Sequence, residues 1–234
     1  MVSVVIHSNP GLANQVESAG WLSEGLARHG VENVITADKH AQADIHIIQG
    51  PWYAYNEWLG KPNVLFLNRC FYGDARYDVS IGWLRPDGSR DFKNHGRASA
   101  NGVLPKMRPK KSRRRSAVVF ADYGKDPTDM VTNARRKYDS VFFRPHPAQA
   151  RETPVMTLKG ELSSTWDIAD VAIGGTSTVL VEAVINGLHV ETTDPLHVVA
   201  GLTDRRQWLI DLSWSQWHYD QLKRGDFWEH LCCN

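Results

Sequence analysis

Hydrophobic positions in the first hundred residues fall into short β-branched runs separated by stretches with helical spacing. Residues 2–6 form such a run and predict a buried strand. Ser8-Asn9-Pro10-Gly11 predicts a turn, and Asn14-x-x-Glu17 has the spacing of a capping box at a helix start. That helix places Val16, Ala19, Leu22 and Leu26 on one face and stops at Gly30. Residues 34–36, 45–49 and 64–67 predict further strands, with a helix over 53–59. Strands separated by crossover-length helices predict parallel pairing.

From residue 85 to 116 the periodicity fails. Pro86, Gly88, Gly96, Gly102, Pro105 and Pro109 interrupt the stretch, which reads as an interdomain connection. The alternation then resumes. Strands are predicted over 117–121, 141–143, 155–158, 171–173 and 189–192, and helices over 126–138, 164–169 and 179–186. Pro127 stands at a first helical turn and Gly187 closes the last of these helices. The fold class expected is α/β, with two Rossmann-like domains built on parallel sheets. Residues 1–105 form the first domain, 106–116 a basic linker, 117–203 the second domain and 204–234 an aromatic helical tail.

A chain of 234 residues is long enough for two compact domains. Its net charge of +1 leaves no global attraction to nucleic acid or membrane, so any such affinity needs a local patch. No apolar run approaches the roughly 18 residues that a bilayer-spanning helix needs. Residues 1–6 read as a strand and not a signal peptide. Cys70, Cys232 and Cys233 lack the spacing of a disulfide framework or a metal site, which predicts reduced thiols in a cytoplasmic protein. Trp208, Trp214, Trp217 and Trp228 predict a packed terminal segment, in which Trp208, Leu209, Leu212 and Trp217 require burial, either by a helix packing back across the domains or against a second subunit of a homodimer.

Chemistry concentrates after two predicted strands of the second domain. In open α/β sheets, ligands sit beyond the carboxyl ends of strands. Arg144 and His146 occupy a turn bracketed by Pro145 and Pro147, whose rings restrict the backbone. Guanidinium and imidazole together suit phosphate oxygens. After the strand over 171–173, Gly174 and Gly175 allow close approach of the backbone. Thr176, Ser177 and Thr178 then present hydroxyls and free amides at a helix start, suited to an anion. Glu182 follows four residues after Thr178 on the same helix face, where it can accept hydrogen bonds from ribose.

The strings Phe143-Arg144-Pro145-His146-Pro147, Asp167-Ile168-Ala169-Asp170 and Thr176-Ser177-Thr178-Val179-Leu180-Val181-Glu182-Ala183 resemble the donor domain of GT-B glycosyltransferases. Capsule-polysaccharide and glycerophosphate transferases have similar strings. The tail from Arg206 to Trp228 is similar to phage-encoded members of that group. The resemblance covers residues 118–231. It implies that Arg144 and His146 contact a donor diphosphate, Gly175 through Thr178 cradle it and Glu182 holds its ribose. It further implies a metal-independent enzyme without a cofactor, using a nucleotide-diphosphate sugar such as UDP-glucose. The absence of an Asp-x-Asp pair fits.

Inverting transfer needs a base for the acceptor hydroxyl. Asp74 is the first candidate, with Glu17 and His7 as alternatives. Lys106, Arg108, Lys110, Lys111, Arg113, Arg114 and Arg115 place seven cations in ten residues. Such a run suits a polyanion. With the phage-like tail, it motivates 5-hydroxymethylcytosine in double-stranded phage DNA as acceptor, as in the phage DNA glucosyltransferases. The base would be flipped out against Tyr53, Tyr55, Phe71 or Tyr72, and the enzyme would work in the host cytoplasm. The competing readings are transfer to a surface glycan or polyol phosphate, and a non-catalytic DNA-binding module. P-loop and Gly-x-Gly-x-x-Gly motifs are absent.

Overall fold

The computed structural model describes residues 2–49, 55–72, 76–84, 90–91, 107–149 and 153–232. The first half runs β1 (Ser3–His7), α1 (Ala13–Arg28), β2 (Glu32–Thr36), β3 (Ile45–Gln49), α2 (Tyr55–Trp58), β4 (Val64–Arg69), β5 (Asp78–Leu84) and β6 (Arg90–Asp91). The second half continues with β7 (Ser116–Phe120), α3 (Thr128–Lys137), β8 (Ser140–Arg144) and β9 (Met156–Thr157). A 3-10 turn (Leu162–Ser164) leads into α4 (Thr165–Ile168), β10 (Val171–Gly174), α5 (Val179–Ile185) and β11 (His189–Thr192). The tail holds α6 (Arg205–Ser213), β12 (Gln216–His218), α7 (Tyr219–Arg224) and α8 (Asp226–Cys232). Two compact units result, one of Met1–Leu104 with Arg206–Asn234 and one of Pro105–Arg205.

In the first unit the sheet order is β12-β5-β4-β3-β1-β2, with β6 paired to β5. Strands β2, β1, β3 and β4 are parallel, whereas β5, β6 and β12 join antiparallel. The sheet is therefore mixed and not purely parallel. Alternation along β1 and β3 turns Val4, Ile6, Ile45 and Ile47 toward α1, where Ala19, Leu22 and Leu26 meet them. Burying each leucine contributes about 1.5–3 kcal/mol. Val16, expected on this face, is 47% exposed. Gln15 and Ser18 turn inward instead: Gln15 Oε1 accepts the Asn9 amide, and the Ser18 hydroxyl donates to Gln49 at the end of β3. The helix also starts at Ala13 with no side-chain cap, so Asn14 is not a capping residue.

The tail is not a separate helical segment. Strand β12 pairs with β5, and Trp217, Leu222, Phe227 and Trp228 enter the core of the first unit. These side chains are buried within the chain and need no second subunit to cover them.

The second unit is a five-stranded, wholly parallel sheet in the order β11-β10-β7-β8-β9. Its core joins Ala117, Val119, Phe143, Val171 and Ile173 to Val131 and Ala134 of α3. From β7 the chain moves outward to β8 and β9, then returns to place β10 on the other side of β7. The reversal opens a crevice between the carboxyl ends of β7 and β10, the place where such sheets bind ligands.

Candidate active site

The Gly174–Thr178 turn leaves β10 at this crevice. Asp122, two residues beyond β7 and 4% exposed, accepts the Thr176 amide with both carboxylate oxygens at 3.0 Å. A Cβ at Gly175 would lie 2.0 Å from Asp122 Oδ2, so only glycine fits there. Lys125 Nζ stands 3.6 Å from the same carboxylate. Thr176 is therefore already satisfied by the protein. The amides of Ser177, Thr178 and Val179 have no protein acceptor among the described residues. Nothing in the sequence singled out Asp122, since one acid after a strand has no distinguishing pattern.

Glu182 sits half-buried in the first turn of α5, and its carboxylate meets no protein donor among the described residues. Burial raises its pKa above the usual glutamate value. His197, in the loop after β11, bridges to the same turn. Its Nδ1 accepts the Val199 amide at 3.2 Å, and its Nε2 lies 3.1 Å from the Ser177 carbonyl. That pair of contacts fixes the Nε2–H tautomer.

His146 follows β8. Its Nδ1 accepts the Ala148 amide at 3.2 Å, which leaves a proton on Nε2 with no protein acceptor among the described residues. The ring stands edge-on to Tyr123, centroids 5.3 Å apart. Arg144 is engaged differently. Its guanidinium donates to the Gly160 carbonyl at 2.5 Å, the Thr165 hydroxyl at 3.0 Å and the Glu161 carbonyl at 3.4 Å. It thereby anchors the loop before α4.

Asp74, Lys106 and Tyr53 lie outside the described residues, as does the side chain of Tyr55. Glu17 is exposed and lines a cavity in the first unit. His7 is wholly buried on the other face of that sheet, packed on Trp58 at 4.7 Å with Nε2 3.1 Å from His46 Nδ1. Phe71 and Tyr72 are buried, so neither offers an open face for stacking on a base.

The basic run lies along the opposite, amino-terminal edge of the second sheet. The Arg108 amide donates to Ile185 at the end of α5 and the Lys111 amide to Gly187, both at 2.9 Å. Lys111 Nζ donates to the Ala169 carbonyl at 2.7 Å, Arg108 pairs with Asp167 at 3.0 Å, and the Arg115 amide donates to Asp170. Within this unit the run therefore does not flank the two turns. Lys110, Arg113, Arg114 and Arg115 are exposed. No group of three or more potential metal-ligating side chains occurs among the described residues. No described helix is long and apolar enough to cross a membrane.

Two Rossmann-like α/β units, one with an all-parallel sheet, give the chain a fold of the GT-B type. No protein-family profile and no curated protein matches the sequence. Among solved structures, the fold is similar to Thermosulfurimonas dismutans KpsC, a beta Kdo 2,7 transferase, with a TM-score of 0.58 at 12% identity. The match covers 96% of this chain and 98% of that one. An NADPH-dependent glyoxylate/hydroxypyruvate reductase from Sinorhizobium meliloti aligns at 14% identity over 91% of each chain. Its TM-score of 0.26 is too low to carry an argument.

Proposed function

We propose that this protein is a glycosyltransferase that binds a nucleotide-activated sugar at the carboxyl edge of the second unit. The observation that carries the reading is Glu182, a half-buried carboxyl that burial penalises and no protein donor among the described residues compensates. Ribose hydroxyls are donors of the right kind to complete it. The amides of Ser177 to Val179, which meet no acceptor among the described residues, and the Nε2–H of His146 suit the phosphate oxygens of the donor. The similarity of fold to a sugar transferase supports the same reading.

In the reaction, the bond from the anomeric carbon to the phosphate oxygen breaks and the acceptor oxygen bonds to that carbon. The acceptor's proton passes to a base, and the departing phosphate takes the electron pair. Hydrogen bonds from backbone amides and His146 stabilise the charge that develops there. Arg144 acts at one remove, by holding the loop before α4 beside the His146 turn.

For the acceptor, a glycan or polyol phosphate is the reading we favour over hydroxymethylated DNA. The DNA reading rests on the basic run together with the phage-like tail, and that run lies on the sheet edge away from the donor turns. A panel separates the two. The protein is incubated with UDP-glucose and other nucleotide sugars, together with DNA containing 5-hydroxymethylcytosine or with glycan and polyol-phosphate acceptors, and products are weighed by mass spectrometry. Added hexose on the modified base alone restores the DNA reading. No donor turnover with any acceptor refutes transfer.

A further inference from the structure

The first unit carries a carboxyl-edge site of its own. Its chain runs from β1 outward to β2 and returns to β3 on the other side of β1, so a switch point lies at the ends of β1 and β3. Beside it, the start of α1 and the ends of β3 and β4 enclose a cavity of about 640 Å³. That is the size of a small-molecule site.

Three features of the wall match one kind of ligand. Helix α1 has sixteen residues, no side-chain cap and no acid in its first turn. The amide of Asn14, which lines the cavity, has no protein acceptor among the described residues, so the positive end of the helix is open there. Gln15 is only 6% exposed and lines the cavity. Its Oε1 accepts the Asn9 amide at 3.1 Å, which identifies Nε2 as the other end, and no protein acceptor meets that Nε2 among the described residues. Gln49 behind it is held by Ser18 and by the Gln15 carbonyl, so the polar floor is fixed. Finally, the exposed Arg69 at the end of β4 has no acidic partner among the described residues.

We infer that this cavity binds an anionic oxygen group of the acceptor, a phosphate or a carboxylate, through the Asn14 amide, Gln15 Nε2 and Arg69, all of residues that line it. Its assignment to the acceptor rests on the transferase reading above; the anion site itself does not. Two acids also line the cavity. Asp78 has a partner of its own. Glu17 is exposed, and an acceptor anchored by its anionic group is presented beside this carboxylate.

The test is a titration of the ¹⁵N-labelled full chain with glucose 6-phosphate, glucuronate and glucose, followed by NMR. The two anions are expected to shift the Asn14 amide and the Gln15 side-chain amide, and glucose is not. Whichever anion binds more tightly identifies the group. Arg69→Ala and Gln15→Glu each weaken anion binding about tenfold or more. Gln15→Glu keeps an acceptor for Asn9 while reversing the charge offered to the ligand, and the exposed Arg69 can be changed without disturbing the core. No shift with either anion, or equal shifts with glucose, overturns the inference. Glu182→Gln, in the other unit, leaves these shifts intact. If nucleotide sugars fail to bind while the anions still do, the transferase reading falls and the anion site stands.

Discussion

Asp122 and Thr176 tie the end of β7 to the end of β10. Both carboxylate oxygens accept one backbone amide, and the carboxylate fills the space left by the missing side chain of Gly175. Asp122→Ala removes a buried acceptor and its contact with Lys125. Unfolding in urea is expected to show a loss of about 1–3 kcal/mol. Asp122→Asn keeps an acceptor and costs less. Gly175→Ala, whose Cβ collides with the carboxylate, costs at least as much as Asp122→Ala. Equal stability of all four proteins would refute this account of the turn.

Glu182 gives a pH signature with a definite sign. Burial raises its folded pKa, so between the unfolded and folded values the folded chain holds a proton that the unfolded chain has lost. Its contribution to stability therefore falls as pH rises through that window. Glu182→Gln is expected to be more stable than wild type at neutral pH, with the difference closing in acid. Denaturation midpoints at several pH values check this, and a constant difference contradicts it.

His7 works in the opposite direction. Burial first, then the neighbouring His46, pushes its pKa down to about 4, while Lys61 opposes and Asp38 favours its protonation. Because the unfolded imidazole titrates near 6.5, unfolding takes up a proton between those two values. Stability drops as pH falls through the window, by on the order of 2–3 kcal/mol. His7→Phe should remove much of this acid sensitivity. Ring resonances of His7 followed by NMR should show no protonation at pH 6.

Helices α1 and α7 touch backbone to backbone at Gly25. A Cβ there would lie 1.9 Å from the Leu222 carbonyl oxygen and 3.0 Å from Gly225. Gly25→Ala is expected to pry α7 away and cost about 1–3 kcal/mol or more, as overpacking does. Tryptophan fluorescence should report the loosening, since Trp217 and Trp228 lie in the same core. An unchanged urea midpoint would contradict the close contact.

The parallel strands were legible because their apolar runs are short, β-branched and bounded by turn residues. Strands over 45–49 and 189–192 are found at the expected residues. Strand β5 is not among the expected elements: Val79, Ile81 and Trp83 alternate in it, but it adjoins the aperiodic stretch that begins at residue 85. Strand β12 is three residues long, too short for a period to show, and its tryptophan suits a helix face as well as a sheet. Helical spacing favours apolar Val16 inward, but Gln15 and Ser18 take the inner face, where the Asn9 amide and Gln49 respectively partner their side chains. For the site, the Arg144–His146 turn and the Gly175–Thr178 turn were visible as local strings. Asp122 and His197 were not, because each reaches the turn from a distant strand end.

The central claim is that the second unit holds a nucleotide, and calorimetric titration tests it most directly. UDP, CMP, GDP and their sugar derivatives are titrated into wild type, Glu182→Ala and His146→Ala. Saturable one-site binding of at least one nucleotide is expected, weakened about tenfold or more by either substitution. Binding of no nucleotide, or undiminished binding by both variants, would contradict it.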